Sequence, residues 1–473
     1  MFFSRLIGPV AVLLTIVATV VSWNMVGPMG AILPPLFLVC LILLDQPKKL
    51  LMFFWGTLLF VPTAEILLPS VFVKIYEQFF GIYLLAALMG SYVLSPRPFP
   101  GTRTVNHMLV ALLALIGISA VVNRVPTKCV VFYLLTYVKH VWVFYYCIRY
   151  LEEEDGKTVF KVMLWSIGVQ IPFNVAYYLG VNPLPRMIWR RFVDASIGTL
   201  GGSHQVGYFM TAGIVLLFAF LQHAPSIRAK IGAWLYLGVM FIQLYLTFTI
   251  HAYPLLMGAL GVQYLLSSGR GFKRVTRFIL AAFACLIIVV FVLSMGIITE
   301  ATRIATVSYW QYSLERMLQG PKIEAYTHVF LRAAEHVRYP WLGGGPGNYT
   351  SNIAFITNRP MAQLPHLYYR YIAVDRWQVS MGGSILTMTR TGAISLFGEL
   401  GPMGLALFWG LYAYAALRVW RQVRADRYRD PYRRVLAEAF VPVIAAFCLL
   451  NVISEAVVDM HLNLGLWIWA AAV

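Results

Sequence analysis

Charge is what this chain has least of. Only 12% of its 473 residues are Asp, Glu, Lys or Arg, whereas about a quarter of a soluble domain is charged. That shortage excludes an ordinary soluble globule. Acids are scarcer still, with 19 Asp and Glu against 37 Lys and Arg and a formal net charge of +18. In a soluble protein such an excess points to nucleic acid. Here basic loops that set membrane topology explain much of it, and no nucleic-acid partner is expected. Cysteine is also sparse: Cys40, Cys129, Cys147, Cys285 and Cys448 form no Cys-x-x-Cys pair and mostly lie in apolar runs. They are expected as small core residues, with no zinc site and no structural disulfide. Internal repeats, low-complexity tracts and an appended soluble domain are all missing.

What the chain has instead is apolar runs of about 20 residues, the length that spans a bilayer as a helix. In lipid the backbone must satisfy its own hydrogen bonds, so these runs are helices. They lack the alternation of membrane strands. Candidate spans are Leu6–Trp23, Val26–Leu44, Leu50–Leu68, Phe79–Leu94, Met108–Val122, Val130–Tyr150 and Val159–Leu179. They continue with Val206–Leu221, Ile231–Phe248, Ala252–Leu266, Phe278–Ile298, Ala393–Val419, Ala439–Val457 and Leu462–Val473. The fold expected is all-α and polytopic, with about 12–14 transmembrane helices. Leu6–Trp23 resembles a signal peptide, but no small-residue cleavage pattern follows it, so it is read as a retained span.

Short loops orient the chain. Lys48, Lys49, Arg97, Arg103, Arg228, Lys230, Arg270, Lys273, Arg274, Arg277 and the arginine-rich Arg418–Arg434 all fall on one side. With the N-terminus inside, that side is cytoplasmic. Two long loops then face outward, at 180–205 and 299–390. The organisation expected is N-terminal helices over 1–298 with the smaller outer loop, a large helical periplasmic loop at 299–390, and C-terminal helices at 391–473.

The large loop carries Arg303, Arg316, Arg332, Arg338, Arg359, Arg370, Arg376 and Arg390. Long loops cross largely regardless of charge, so topology did not place these cations, and an anion at the outer face is the natural reason for them. Within the loop, 323–337 has apolar residues at helical spacing and stops before Arg338-Tyr339-Pro340. Then comes Gly343-Gly344-Gly345-Pro346-Gly347-Asn348-Tyr349, which either presents N–H groups to phosphate or simply forms a turn. It is not a P-loop, since no Gly-Lys-Ser/Thr follows. His366, Arg370 and Arg376, interleaved with Tyr368, Tyr369, Tyr371 and Trp377, suit sugar rings and phosphate, or a braced surface. The smaller loop offers Arg186, Arg190 and Arg191, then Gly198 through His204. Those arginines bind a substrate anion or snorkel to headgroups. Glu65, Lys139 and His140, near or within spans, either line a lipid or proton path or pair structurally.

Two segments taken together carry a resemblance. The first runs from Arg191-Phe192 to Gly198-Thr199-Leu200-Gly201-Gly202-Ser203-His204 and straight into a span. The second is Tyr339-Pro340-Trp341-Leu342-Gly343-Gly344-Gly345-Pro346-Gly347-Asn348-Tyr349, followed by Leu396-Phe397-Gly398-Glu399-Leu400-Gly401-Pro402 opening the next span. This order resembles the O-antigen ligase and O-antigen polymerase superfamily, inner-membrane enzymes that act on undecaprenyl-pyrophosphate-linked sugars at the periplasmic face. The likeness covers the second half of the chain by motif and the first half only by topology. It implies a histidine nine residues before the glutamate of Glu-Leu-Gly in ligases, where this chain has Arg390. Polymerases of the superfamily can carry an arginine, ten residues and a glycine in each outer loop. Arg191 to Gly202 and Arg390 to Gly401 fit that spacing.

The resemblance therefore favours a polysaccharide polymerase over an O-antigen ligase that transfers to lipid A core. A transporter or flippase of lipid-linked oligosaccharide is the alternative of a different class. Arg191 and Arg390 are expected to stabilise the leaving pyrophosphate, with His366 as candidate base and Glu399 and Asp375 as rivals. Arg190, Arg370, Arg376, Arg338, His204, Tyr369 and Glu399 are candidate contacts to the pyrophosphate or sugar. No Asp-x-Asp pair occurs, so a metal-independent reaction with no cofactor is expected. The implied partners are the undecaprenyl-pyrophosphate-linked oligosaccharide, membrane lipid and a chain-length regulator protein.

Overall fold

The computed structural model describes residues 46–61, 70–94, 102–178, 198–200, 203–247, 251–266, 321–351, 391–425, 427–454 and 460–473, with a few single positions between them. Every regular element among them is a helix. Seven helical runs of the described residues are long and apolar enough to cross a membrane. The chain is therefore a polytopic helical membrane protein. The expected spans at 6–23, 26–44 and 278–298 lie outside the described residues or nearly so, as does Glu65.

In chain order the helices are α1 (Pro47–Leu58), α2 (Ser70–Leu94), α3 (Arg103–Val122) and α4 (Thr127–Tyr150). Next come α5 (Gly156–Gly168), α6 (Gln170–Tyr178), α7 (Ser203–His223), α8 (Ile227–Leu246) and α9 (Ala252–Leu266). The large loop holds α10 (Pro321–Tyr326), a π turn at Thr327–Leu331 and α11 (Ala333–His336). The chain closes with α12 (Gly392–Arg424), α13 (Pro431–Ile453) and α14 (Met460–Ala472).

Local chemistry sets several of these boundaries. Thr391, Asp430 and Ser226 cap α12, α13 and α8 by accepting the N–H of Ile394, Arg433 and Ala229, a direct use of short polar side chains at orphan donors. Pro431 at the first position of α13 needs no N–H there. That cap starts α13 at Pro431 rather than at Ala439, where its apolar run begins. The expected span 159–179 is interrupted at Val169, between α5 and α6. The expected loop helix at 323–337 is present, but with a π turn inside it.

Side-chain links sort the helix ends into two sets. At one end Lys48 meets Glu152 and Asp155, each at 2.8 Å. Arg433 reaches Glu153 at 3.3 Å and the carbonyl of Ala472 at 3.0 Å. Glu438 joins His223 at 2.8 Å and Arg434 at 3.1 Å. At the other end Ser119, Leu342 and Glu399 meet, and Tyr326 links to Thr391 and Val452. Two neighbouring pairs, α3 with α12 and α7 with α13, run antiparallel. Ser119 of α3 lies by Glu399 of α12, while Met108 lies by Gly410. On α7, His223 pairs with Glu438 and Tyr208 packs on Phe447. The interior is one continuous apolar core from Leu50 of α1 to Ala472 of α14. Small residues let the helices approach: Gly207 faces Ala252, and Gly465 faces Trp55, as expected for packing in lipid.

Lys139 and His140 are both buried in α4, directly after a π turn at Leu134–Val138. The Lys139 stem packs on Gly81, and His140 Nε2 lies 3.0 Å from the carbonyl of Thr136.

Candidate functional site

The described structure is most elaborate at the end that carries Ser119, Tyr326 and Glu399. Here the glycine turn of the large loop docks on the start of α12. Gly344 and Gly345 donate their N–H groups to the carbonyls of Gly398 and Glu399, at 2.7 and 3.0 Å. The Glu399 side chain is fully buried and completes the joint. Its Oε2 accepts from the backbone N–H of Asn348 at 2.8 Å. Its Oε1 accepts from Tyr349 at 2.9 Å and from Thr350 and Ser351 at 2.8 Å each. A carboxylate is an acceptor with about four lone-pair sites, and four consecutive N–H groups fill them.

Two expectations read differently once this geometry is seen. The glycine run is the turn, not a phosphate cradle, because its N–H groups at 344 and 345 and those of 348–351 are directed at α12. Glu399, a candidate for substrate contact and a rival for the base, spends its carboxylate on holding that turn.

The turn fits only because α12 breaks. Gly401 has φ +69°, a left-handed conformation inside the helix, and Pro402 follows it. A side chain at Gly401 would overlap the carbonyl of Trp341, and one at Gly343, also left-handed, would overlap the backbone of Glu399. Both positions require glycine for conformation and for space. The joint is also tied to α3: Ser119 Oγ donates to the carbonyl of Leu342 at 2.7 Å, and Asn123 Nδ2 to that of Gly343 at 3.1 Å. Beneath the turn, Tyr349 packs with Ala325, Val329, Val337 and Ile394, and Phe330 stacks on Phe397. Tyr326 donates to the carbonyl of Val452 at 2.7 Å and shares a 2.8 Å hydrogen bond with Thr391. Its phenol is displaced above its usual pKa, mainly by burial.

A second polar cluster lies at the same end of the bundle. Gln170, at the start of α6, accepts the backbone N–H of Thr199 at 2.8 Å and donates to its hydroxyl at 2.8 Å. Gln170, Asn174 and Thr199 are all buried. Gly198 sits against Gln170 and Asn174 in a left-handed conformation. Five residues on, half-buried His204 faces His251 of α9, with ring centroids 6.5 Å apart. The chain leaves and re-enters the described structure at this one end twice, at 178 and 198 and at 351 and 391.

Of the site residues expected from sequence, His204, Arg338 and Glu399 are placed. Arg338 is exposed, with its guanidinium 5.3 Å from the centroid of the Tyr339 ring. Arg190, Arg191, His366, Tyr369, Arg370, Arg376 and Arg390 lie outside the described residues, as do Asp375 and Gly202. Arg390 directly precedes Thr391, the cap of α12.

Sequence reasoning passed over Ser119, Asn123, Gln170 and Thr199. Their signal was available. Ser119 and Asn123, and likewise Gln170 and Asn174, are polar residues four apart in apolar runs, a spacing that puts both on one helix face. Among the described residues no cluster of three or more His, Cys, Asp or Glu side chains is placed to share a metal ion. Compared with known protein families and with curated proteins, the chain matches no family model and no curated sequence.

Proposed function

We propose that this chain is a polysaccharide polymerase of the bacterial inner membrane. It transfers a glycan from undecaprenyl pyrophosphate to the acceptor sugar of another lipid-linked repeat unit at the periplasmic face. One observation supports the reading above others. The described parts of the segments that carry the sequence resemblance, 339–349, 396–402, 198–200 and 203–204, lie at one end of the bundle, and the first two form one hydrogen-bonded joint through Glu399. From that end the two arginine-bearing loops depart.

In this mechanism the acceptor hydroxyl attacks the anomeric carbon. The new C–O bond forms as the bond to the lipid pyrophosphate breaks, and the hydroxyl proton passes to a base, for which His366 is the candidate. Arg191 and Arg390 stabilise the charge that grows on the leaving pyrophosphate, where a guanidinium pairs bidentately with phosphate. Arg190, Arg370, Arg376, Arg338, His204 and Tyr369 hold the pyrophosphate and sugars. Glu399 takes the part of a positioning residue, since it orders the turn. The arginines stand in for a divalent metal.

The test is the purified protein with lipid-linked repeat units from its host, resolved on a gel. A ladder of lengths is expected, undiminished by exhaustive chelation. Transfer to a lipid A core acceptor would make the chain a ligase, and neither product would favour a transporter. Arg390→Ala and Arg191→Ala are each expected to lower the rate by about 100-fold or more. Full activity in Arg390→Ala would remove the central assignment.

A further inference from the structure

Among the described residues, several apolar side chains of the large loop stay exposed. Leu331 is 80% exposed, Trp341 73%, Ile323 45% and Tyr339 38%. Single exposed apolar residues are ordinary, but these share one short segment, and its geometry groups them. In a regular α-helix Ile323 and Leu331 would point about 80° apart. The π turn at Thr327–Leu331, closed by the N–H of Arg332 on the carbonyl of Thr327 at 3.2 Å, inserts one extra residue. That insertion brings the two back to within about 20° of each other.

The segment therefore has two apolar faces. One, with Ala325, Val329 and Phe330, is covered by Tyr349, Ile394 and Phe397. The other, with Ile323 and Leu331, is open.

Trp341 fixes the height of this segment. Its carbonyl lies against Gly401, where the long membrane-crossing part of α12 begins, and the next residue, Leu342, accepts from Ser119 near the end of α3. Around that point the spans themselves expose Val121, Ile118 and Met403 at 78%, 53% and 52%. The open face of the loop and these exposed apolar residues of α3 and α12 lie at the same end of the bundle. Arg332 and Arg338 are exposed beside it. Tryptophan, tyrosine and arginine at the end of a span are the residues of the headgroup boundary.

We propose that residues 323–341 lie in the bilayer boundary, with Ile323, Leu331 and Trp341 in the acyl region and Arg332 at lipid phosphates. The occupant of the open face is the bilayer, not a soluble partner. The loop is then seated from both sides, by α12 and by lipid, and its position at the bundle end depends on the membrane. This inference rests on the chain being a membrane protein and is independent of the chemistry proposed above.

The test uses the full chain, with its five native cysteines replaced, in nanodiscs of phosphatidylcholine with some phosphatidylglycerol. A small environment-sensitive fluorophore is attached at Leu331→Cys, at Trp341→Cys, and at Glu335→Cys as an exposed polar control. The Leu331 and Trp341 probes are expected to lose most of their fluorescence to a doxyl group near the headgroup end of the lipid chains and little to iodide. The Glu335 probe is expected to show the reverse. Leu331 is so exposed that its replacement disturbs little packing, and an unchanged thermal midpoint certifies the fold. Iodide quenching of Leu331 and Trp341 equal to that of Glu335 would put the segment in water and overturn the proposal. Loss of the lipid quenching only when a lysate protein is added would show a protein partner instead.

Discussion

Glu399 concentrates more of the joint between the glycine turn and α12 than any other described side chain. Three N–H groups converge on Oε1 and one on Oε2. A glutamine has the same shape but only one acceptor oxygen. If that oxygen takes the Oε1 place, the amide NH2 faces the N–H of Asn348, donor against donor. The flipped amide does worse, losing three bonds to keep one. Glu399→Gln is therefore expected to cost about 1–3 kcal/mol, the usual penalty for a buried group left unpaired. Trypsin should then cut faster at exposed Arg338, next to the joint. Wild-type cleavage and an unchanged thermal midpoint would show that the carboxylate is not what holds the turn. Gly401, like Gly343, admits no substitute. Gly401→Ala forces a left-handed alanine, at about 1–2 kcal/mol, and drives its methyl into the Trp341 carbonyl. A drop of more than about 2 kcal/mol is expected. Gly238→Ala supplies the contrast. Gly238 lies inside α8 with nothing within 4 Å of the added carbon, so helix propensity alone acts and stability should hold or rise by up to about 1 kcal/mol. Equal losses at the two sites would refute the conformational argument.

At the scale of elements, what sequence could and could not announce divides along physical lines. α3, α7, α8, α12 and α13 were legible because a span is a composition rule: about 20 apolar residues in a row leave a helix as the only solution in lipid. The starts of α8 and α13 were written in Ser226 and in Asp430-Pro431, although the apolar runs alone placed α13 too late. The irregular parts were not legible. The π turn at 327–331, the break at Val169 and the kink at Gly401 answer to what packs beside them, and no local pattern records that. Gly401-Pro402 was visible as a pair, yet the reason for it is the carbonyl of Trp341, some sixty residues earlier in the chain. The site divides in the same way. Glycine-rich 343–347 was open from sequence between a phosphate-facing loop and a turn, and Glu399 was a candidate for substrate contact, whereas in three dimensions the two form a joint. Ser119 and Gln170, which tether that end, were overlooked because their spacing to Asn123 and Asn174 marks a shared helix face but not the distant segment that the face meets.

For the molecule as a whole, the two ends are held by different means, and that difference can be measured. The end opposite the joint is clamped by ions between distant helices. Lys48 spans to Glu152 and Asp155, Arg433 to Glu153, and Glu438 bridges His223 of α7 and Arg434 of its own helix. The Glu152 and Glu153 contacts are well exposed and so contribute little, and Asp155, at 17%, meets a Lys48 that is itself 39% exposed. Glu438 is different, because its side chain is only 18% exposed and His223 is only 22% exposed. Removing it takes the carboxylate away from both His223 and Arg434. Glu438→Ala is expected to destabilise by about 1–3 kcal/mol, read as a lower thermal midpoint in detergent. It should leave trypsin cleavage at Arg338 at the wild-type rate, because the clamp and the joint share no residue and lie at opposite ends of α7, α12 and α13. Combined with Glu399→Gln, its cost should add to within about 0.5 kcal/mol, as for separated sites. A bundle whose helices transmit strain from end to end would instead show faster cleavage at Arg338 in Glu438→Ala alone and a marked departure from additivity. Additive losses with end-specific cleavage would establish that the joint at Glu399 is tuned independently of the opposite end.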